Sequence, residues 1–170
     1  MIKWTIYSDG TTDVHVEAKK DPVFPVLPRF GLRLFLPESF AELTYCGLGP
    51  VESYVDKHQA SYHGVFHSTP AEQQEDYIRP QENGSHFGCA RVTITDGAGA
   101  VTVTSPEDFS FNLSHYTQEE MTEKMHNYEL TESPDNVFCF DCKMSGVGSN
   151  SCGPRLAKAM QFDDETFTFK

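Results

Sequence analysis

The sequence has little positive charge and no long apolar run. Its 170 residues include 13 Lys and Arg against 25 Asp and Glu, a formal net charge of −12 at pH 7. A surface of that sign repels phosphate backbones and anionic lipid headgroups, so nucleic acid and membrane surfaces are disfavoured partners. The apolar run at 31–36 is broken by Arg33, far short of the ~20 residues that span a bilayer. No hydrophobic secretory stretch follows Met1, which predicts a cytoplasmic protein unless a targeting segment lies upstream of this sequence.

The cysteines are odd in number and show no paired spacing. The five cysteines have irregular spacing, which argues against a closed disulfide framework and indicates reduced thiols. Cys139 and Cys142 form a Cys-x-x-Cys, but no second pair accompanies it, and an ordinary strand explains it better than zinc. For the histidines at 58, 63 and 67 a polar surface loop is favoured over a metal site. We therefore expect no metal ligands in this chain.

Recognisable catalytic signatures are missing too. The chain has no Gly-x-Ser-x-Gly, phosphate loop or dinucleotide fingerprint. A glycosidase needs two carboxylates flanking the scissile bond, but most acids in so charged a chain are simply solvated. The residues alone therefore nominate no catalytic residue.

What the chain does contain is short segments of alternating polar and apolar residues, the pattern of half-buried strands. Together with one helix near 117–126, they predict an all-β antiparallel sandwich that occupies residues 1–170 as a single domain. The helix signal is a capping box from Thr117 to Glu120, with Met121 and Met125 as its apolar stripe. Residues 42–48 are predicted to pair with 29–36, residues 49–84 to form a long loop-rich segment, and Trp4 to lie in the core. The predicted strands are 4–7, 13–17, 29–36, 42–48, 87–95, 100–104, 109–113, 137–144 and 156–169.

The most unusual composition lies at residues 145–154, Ser-Gly-Val-Gly-Ser-Asn-Ser-Cys-Gly-Pro, which we call the Gly-Ser loop. Glycines let a backbone approach a ligand closely, and amides and hydroxyls suit a neutral, hydroxyl-rich ligand such as a sugar. Taken alone, an idle flexible turn explains the segment equally well.

At this loop the sequence resembles a known family, the long β-galactosidases of glycoside hydrolase family 2, in their C-terminal domain. Four further segments agree in order, and the five together cover about residues 27 to 154. These four are Leu-Pro-Arg-Phe-Gly-Leu at 27–32, Gly-Leu-Gly-Pro-Val-Glu-Ser-Tyr-Val-Asp at 47–56, Arg-Pro-Gln-Glu-Asn-Gly at 79–84, and Phe-Ser-Phe-Asn-Leu-Ser-His-Tyr at 109–116.

The resemblance implies the C-terminal part of a galactose-mutarotase-like β-sandwich. It also implies that the catalytic carboxylates of the retaining hydrolysis of β-D-galactosides lie in a (β/α)8 barrel elsewhere in a longer protein, together with magnesium and sodium. The other domains of that chain would be partners, and the parent enzyme would be a homo-oligomer.

The family's Gly-Ser loop reaches the barrel mouth and carries in some members a Trp that stacks on the aglycone. Cys152 stands at that position here, so stacking is not carried over, and Ser149, Asn150 and Cys152 are the candidate aglycone contacts. Matching residues outside the loop are expected to serve domain packing or a subunit interface. They are Glu52, Tyr54, Asp56, Arg79, Glu82 and Asn83. A buried Arg79 paired with one of these acids would be a structural device, and the sequence does not show which acid.

Two functions from different classes follow. The first is a β-galactosidase C-terminal domain that is not catalytic alone, binds carbohydrate and shapes the aglycone side of the active site. The alternative is a stand-alone carbohydrate-binding module. Sugar epimerase chemistry is a weaker possibility that rests on fold analogy.

Overall fold

The computed structural model describes residues 1–24, 26–148 and 154–170. These residues form nine strands, one short α-helix and two 3₁₀ turns, so the predicted all-β class is confirmed. The strands are β1 (Ile2–Ile6), β2 (Thr12–Lys19), β3 (Arg29–Pro37), β4 (Glu42–Gly49), β5 (Tyr62–Ser68), β6 (His86–Thr95), β7 (Ala100–Ser114), β8 (Asp135–Met144) and β9 (Thr166–Phe169). The helix α1 is Gln118–Glu123, and the 3₁₀ turns are Asn127–Glu129 and Lys158–Met160.

The strands form two antiparallel sheets, one of six strands in the order β3-β8-β7-β6-β4-β5 and one of three in the order β1-β2-β9. The predicted pairing of 42–48 with 29–36 is wrong: β3 pairs with β8, and β4 pairs with β5 and β6. The alternation of polar and apolar residues indicates which face of a strand is buried, but it does not identify the neighbouring strand, because any strand with the same alternation could pair at that position.

The core lies on one face of the six-stranded sheet. Phe111, Leu113 and Phe138 are fully buried on the central strands β7 and β8, and Val92 and Ile94 extend the cluster onto β6. The predicted hairpin of β6 and β7 turns at 96–99, where Asp96 accepts hydrogen bonds from the amides of Ala98 and Gly99 at 2.9 and 2.7 Å.

The three-stranded sheet packs against the apolar face through aromatic side chains. The Phe167 ring on β9 lies 4.9 Å, centroid to centroid, from both Phe30 on β3 and the buried Phe162. A cleft of about 1250 Å³ remains between the sheets. Trp4 lines this cleft and is 53% exposed, so its prediction as a core residue is wrong, because β1 is the outer strand of the small sheet.

Three further sequence expectations need adjustment. The loop-rich segment at 49–84 contains β5, and the strand predicted at 156–169 is limited to Thr166–Phe169. The helix is confirmed, and its Thr117 hydroxyl accepts a hydrogen bond from the Glu120 amide at 3.1 Å. Met121 is buried but Met125 is exposed, since the helix ends at Glu123. No helix in the described part of the chain is long and apolar enough to cross a bilayer.

Candidate functional site

The start of the Gly-Ser loop is fixed at the end of β8. The Ser145 hydroxyl donates to the Leu27 carbonyl at 2.7 Å and accepts from the Phe162 amide at 2.9 Å. The Ser145 amide donates to the Pro28 carbonyl, and the Gly146 amide donates to the Met160 carbonyl at 2.8 Å. Two separate segments, 27–28 and 160–162, thus hold the first two residues of the loop. The predicted contacts Ser149, Asn150 and Cys152 lie outside the described residues, so that prediction stays a prediction.

Asp56 holds the next two residues of the loop. Its carboxylate oxygens accept hydrogen bonds from the Val147 amide at 3.1 Å and the Gly148 amide at 2.9 Å. The carboxylate lies directly over Gly146, where an added Cβ would come within 2.5 and 2.6 Å of the two oxygens. Only glycine permits this approach, which explains the glycine at this position.

Glu52 is the centre of a polar network beside Asp56. Its buried carboxylate accepts from the Lys57 ammonium, the Tyr77 hydroxyl and, at 2.8 Å, the Gly84 amide. Burial alone raises the pKa of Glu52, but these hydrogen bonds outweigh it and hold that pKa below its ordinary value. Gly84 has a φ of +70°, a backbone conformation that favours glycine.

A second network joins β3 and β8 through Arg29. Its guanidinium donates to Asp141 at 3.1 and 2.5 Å and to Glu82 at 2.9 Å. Burial raises the pKa of both carboxyls, and the opposing effect of Arg29 does not restore their ordinary values. Arg79 is exposed, so its expected role as the buried partner of an acid is wrong. Arg29 has that role, which the sequence analysis missed; its place in the matching Leu-Pro-Arg segment is the signal that could have identified it.

Tyr54 and Asn83 support the same region from inside. Tyr54 is buried, and burial raises the pKa of its hydroxyl above its ordinary value. The Asn83 side chain accepts from the Glu75 amide at 3.0 Å and donates to the Gln81 carbonyl at 2.9 Å. Both residues shape the 49–84 segment.

A cavity of about 200 Å³ lies next to the loop, with Val147 as one wall. Its other lining residues are Glu52, Tyr54, Lys57, Tyr77, Gln81 and Glu82. All but one of the carboxylate oxygens of Glu52, Asp56, Glu82 and Asp141 accept a hydrogen bond from the protein; the exception is the buried Glu82 Oε1. Carboxylates engaged in this way fix a backbone conformation. We therefore interpret these carboxylates as structural groups, and that of Asp56 holds the Gly-Ser loop through its backbone amides.

The structure places the other candidate residues in strands. His63 and His67 lie on β5, and Cys139 and Cys142 lie on β8, as the strand interpretation of that motif predicted. Within the described ranges, no group of three or more His, Cys, Asp or Glu side chains could hold a metal ion. We assign none of these residues to the magnesium and sodium that the resemblance implies, and those ions stay a prediction for the longer protein.

The fold and the contacts to the Gly-Ser loop define the class of protein: an antiparallel β-sandwich in which carboxylate side chains hold a surface loop. Comparison with known proteins identifies the family. The family described as "Beta galactosidase small chain" matches residues 1–170, and this chain belongs to it.

Curated relatives agree. The chain is 45% identical over 169 residues to a β-galactosidase of Actinobacillus pleuropneumoniae, covering 99% of this chain and 16% of the relative. It is 40% identical over 168 residues to a β-galactosidase of Staphylococcus xylosus, covering 99% of this chain and 17% of the relative. The chain thus spans about a sixth of the length of these relatives.

Proposed function

We propose that this chain is the C-terminal part of a retaining β-galactosidase of glycoside hydrolase family 2. In this proposal the chain contributes no catalytic carboxylate, and its Gly-Ser loop shapes the aglycone side of an active site that other domains provide. The observation that carries the proposal is the match to β-galactosidases over 99% of this chain but only 16–17% of their length.

The supported loop is consistent with this division of roles. A loop that contacts a leaving group must hold its donors and acceptors in place before substrate arrives, since ordering them on binding costs affinity. Ser145, Gly146, Val147 and Gly148 each have backbone or side-chain partners that hold them. Residues 149–153 continue from this fixed base, and Cys152 offers a thiol instead of an aromatic platform.

The cleft between the two sheets supports the expected partnership with other parts of a longer polypeptide. Large-sheet residues Leu32, Leu34 and Phe140 line it from one side, and Trp4 and Phe167 line it from the other. Polar residues, among them Asp13, Asp108 and Lys143, line the cleft as well. A cleft with both kinds of side chain can bury its apolar residues against another segment, which is favourable in water, and pair its polar ones with that segment. We therefore propose that another segment of the β-galactosidase fills the cleft. The homo-oligomer, the mutarotase-like fold relationship and the magnesium and sodium sites are further proposals, and they rest on the resemblance to the β-galactosidase family.

The loop assignment is tested by Cys152→Trp in the longer β-galactosidase that carries this sequence. We expect a lower KM for lactose or a changed ratio of transglycosylation to hydrolysis, because an indole would add a stacking surface for the glucose leaving group. Unchanged kinetics and product ratio would show that Cys152 does not face the site. The 170-residue chain alone should not hydrolyse a chromogenic β-galactoside. Hydrolysis that survives repurification and increases in proportion to the amount of the chain would refute the proposal that it contributes no catalytic carboxylate.

A further inference from the structure

We propose that Asp56 is a positioning residue for leaving-group specificity: its carboxylate sets the direction in which the Gly-Ser loop leaves β8. This inference rests on the proposed function, because a loop that does not face the aglycone could not affect its selection. Asp56 belongs to the group expected only to serve packing or an interface, so the structure gives it a more specific role.

The geometry of the contact is the first argument. Each carboxylate oxygen accepts one hydrogen bond from one of two consecutive amides: Oδ1 from Val147 at 3.1 Å and Oδ2 from Gly148 at 2.9 Å. Hydrogen bonds to an ionised acceptor are about twice as strong as neutral ones, and two of them fix orientation as well as position. The missing side chain at Gly146 lets the carboxylate reach both amides.

Asp56 itself is held firmly, which is the second argument. Tyr54 and Lys57 exchange backbone hydrogen bonds at 2.8 and 3.1 Å and thereby close a tight turn that contains Asp56. Tyr54 is buried below this turn, and the Lys57 ammonium pairs with the buried carboxylate of Glu52. The position of Asp56 is therefore set by the core of the domain and passed to the loop.

The expected effect falls on the leaving group, because Asp56 contacts loop backbone and no reacting atom. Lactose and β-galactosyl fluoride share the galactosyl group, but fluoride offers a loop almost nothing to contact. Displacing the loop by even about 1 Å should weaken reactions that depend on a positioned sugar leaving group. The ratio of kcat/KM for lactose to kcat/KM for β-galactosyl fluoride therefore isolates the role of the loop.

The experiment compares Asp56→Ala and Asp56→Asn with the matched control Asp96→Ala in the longer β-galactosidase that carries this sequence. The Asp96 carboxylate also accepts hydrogen bonds from two consecutive amides, but they lie in the turn between β6 and β7. We expect the ratio to fall about five- to tenfold for Asp56→Ala, as for the loss of one or two net hydrogen bonds. Asp56→Asn keeps one acceptor oxygen, so the ratio should fall less in this variant. Asp96→Ala should keep the wild-type ratio.

The outcomes separate this inference from the proposed function. An unchanged ratio in both Asp56 variants, with a changed ratio in Cys152→Trp, would overturn the inference alone. An unchanged ratio in all three would refute the proposed role of the loop and the inference with it. If Asp56→Ala fails to fold, the isosteric Asp56→Asn decides, and a wild-type ratio in that variant overturns the inference.

Discussion

Arg29→Met should be among the most damaging single substitutions in this chain. Asp141 is only 3% exposed, and both of its carboxylate oxygens accept hydrogen bonds from Arg29. Removing one partner of a buried ion pair costs about 3–5 kcal/mol, because the other charge stays buried without compensation. Arg29 keeps some access to water, so we expect the lower end, a loss of about 3 kcal/mol in the free energy of unfolding.

Urea unfolding of the 170-residue chain, followed by far-ultraviolet circular dichroism, measures this loss. With a slope of about 2 kcal/mol per molar urea, a 3 kcal/mol loss lowers the midpoint by roughly 1.5 M. Arg33→Met is the matched control on the same strand, because Arg33 pairs with the exposed Glu119. Such a surface pair contributes at most about 1 kcal/mol.

The pH dependence gives the prediction a sign. Burial raises the pKa of Asp141 above 3.8, and in Arg29→Met that pKa rises further because the neighbouring cation is gone. A carboxyl with a raised folded-state pKa stabilises the fold below its unfolded pKa and loses that contribution as pH rises through the folded pKa. The deficit should therefore be larger at about pH 8 than at about pH 5. A loss equal to that of Arg33→Met, or one that shrinks as pH rises, would refute the role assigned to Arg29.

Three further predictions follow from the same contacts. Gly146→Ala should lower the ratio of kcat/KM for lactose to that for β-galactosyl fluoride, as Asp56→Ala does, because the new Cβ would displace the Asp56 carboxylate. Gly148→Ala should lower it less, because its Cβ would lie 3.0 Å from the nearest carboxylate oxygen. An unchanged ratio in Gly146→Ala would contradict this packing. Iodoacetamide should label the exposed Cys46 before Cys89 and Cys139, because burial raises the pKa of these two thiols to about 12 and about 11; equal rates, read by peptide mass spectrometry, would show that the β-sheet core opens. Calorimetric titration of the 170-residue chain with millimolar lactose should give no saturable heat, because in the proposed function this chain contacts the sugar only beside a galactosyl site in other domains. Clear saturation would favour the stand-alone carbohydrate-binding module.

The sequence predicted most strands because their apolar alternation is strong. The hairpin of β6 and β7 has β-branched residues on one face and a glycine-containing turn, and both are local signals. β5 was missed because His63, Gly64 and His67 interrupt its pattern, and its strand conformation is fixed by pairing with β4. Phe162 lies inside the strand predicted at 156–169 and is fully buried, but it is outside β9, since burial alone does not require extended pairing.

The candidate site was less accessible to sequence reasoning because its contacts span long sequence separations. Arg29 pairs with residues 53 and 112 positions away, and Asp56 contacts amides 91 and 92 positions away. Motif resemblance identified the segments that carry these residues but not their partners. Arg79 illustrates the limit: it lies in a matching segment, yet its side chain is exposed and a different arginine forms the buried pair.

The most direct test of the central claim, that this chain provides the loop that faces the aglycone, uses the thiol of Cys152 itself. A β-thiogalactoside whose aglycone ends in a bromoacetamide should place its electrophile beside the Gly-Ser loop, where the thiolate displaces bromide to form a thioether. Peptide mass spectrometry on the proposed longer β-galactosidase should find Cys152 modified well before Cys46, with excess lactose preventing the reaction. Modification of Cys152 no faster than that of Cys46, or equally fast with lactose present, would contradict the claim.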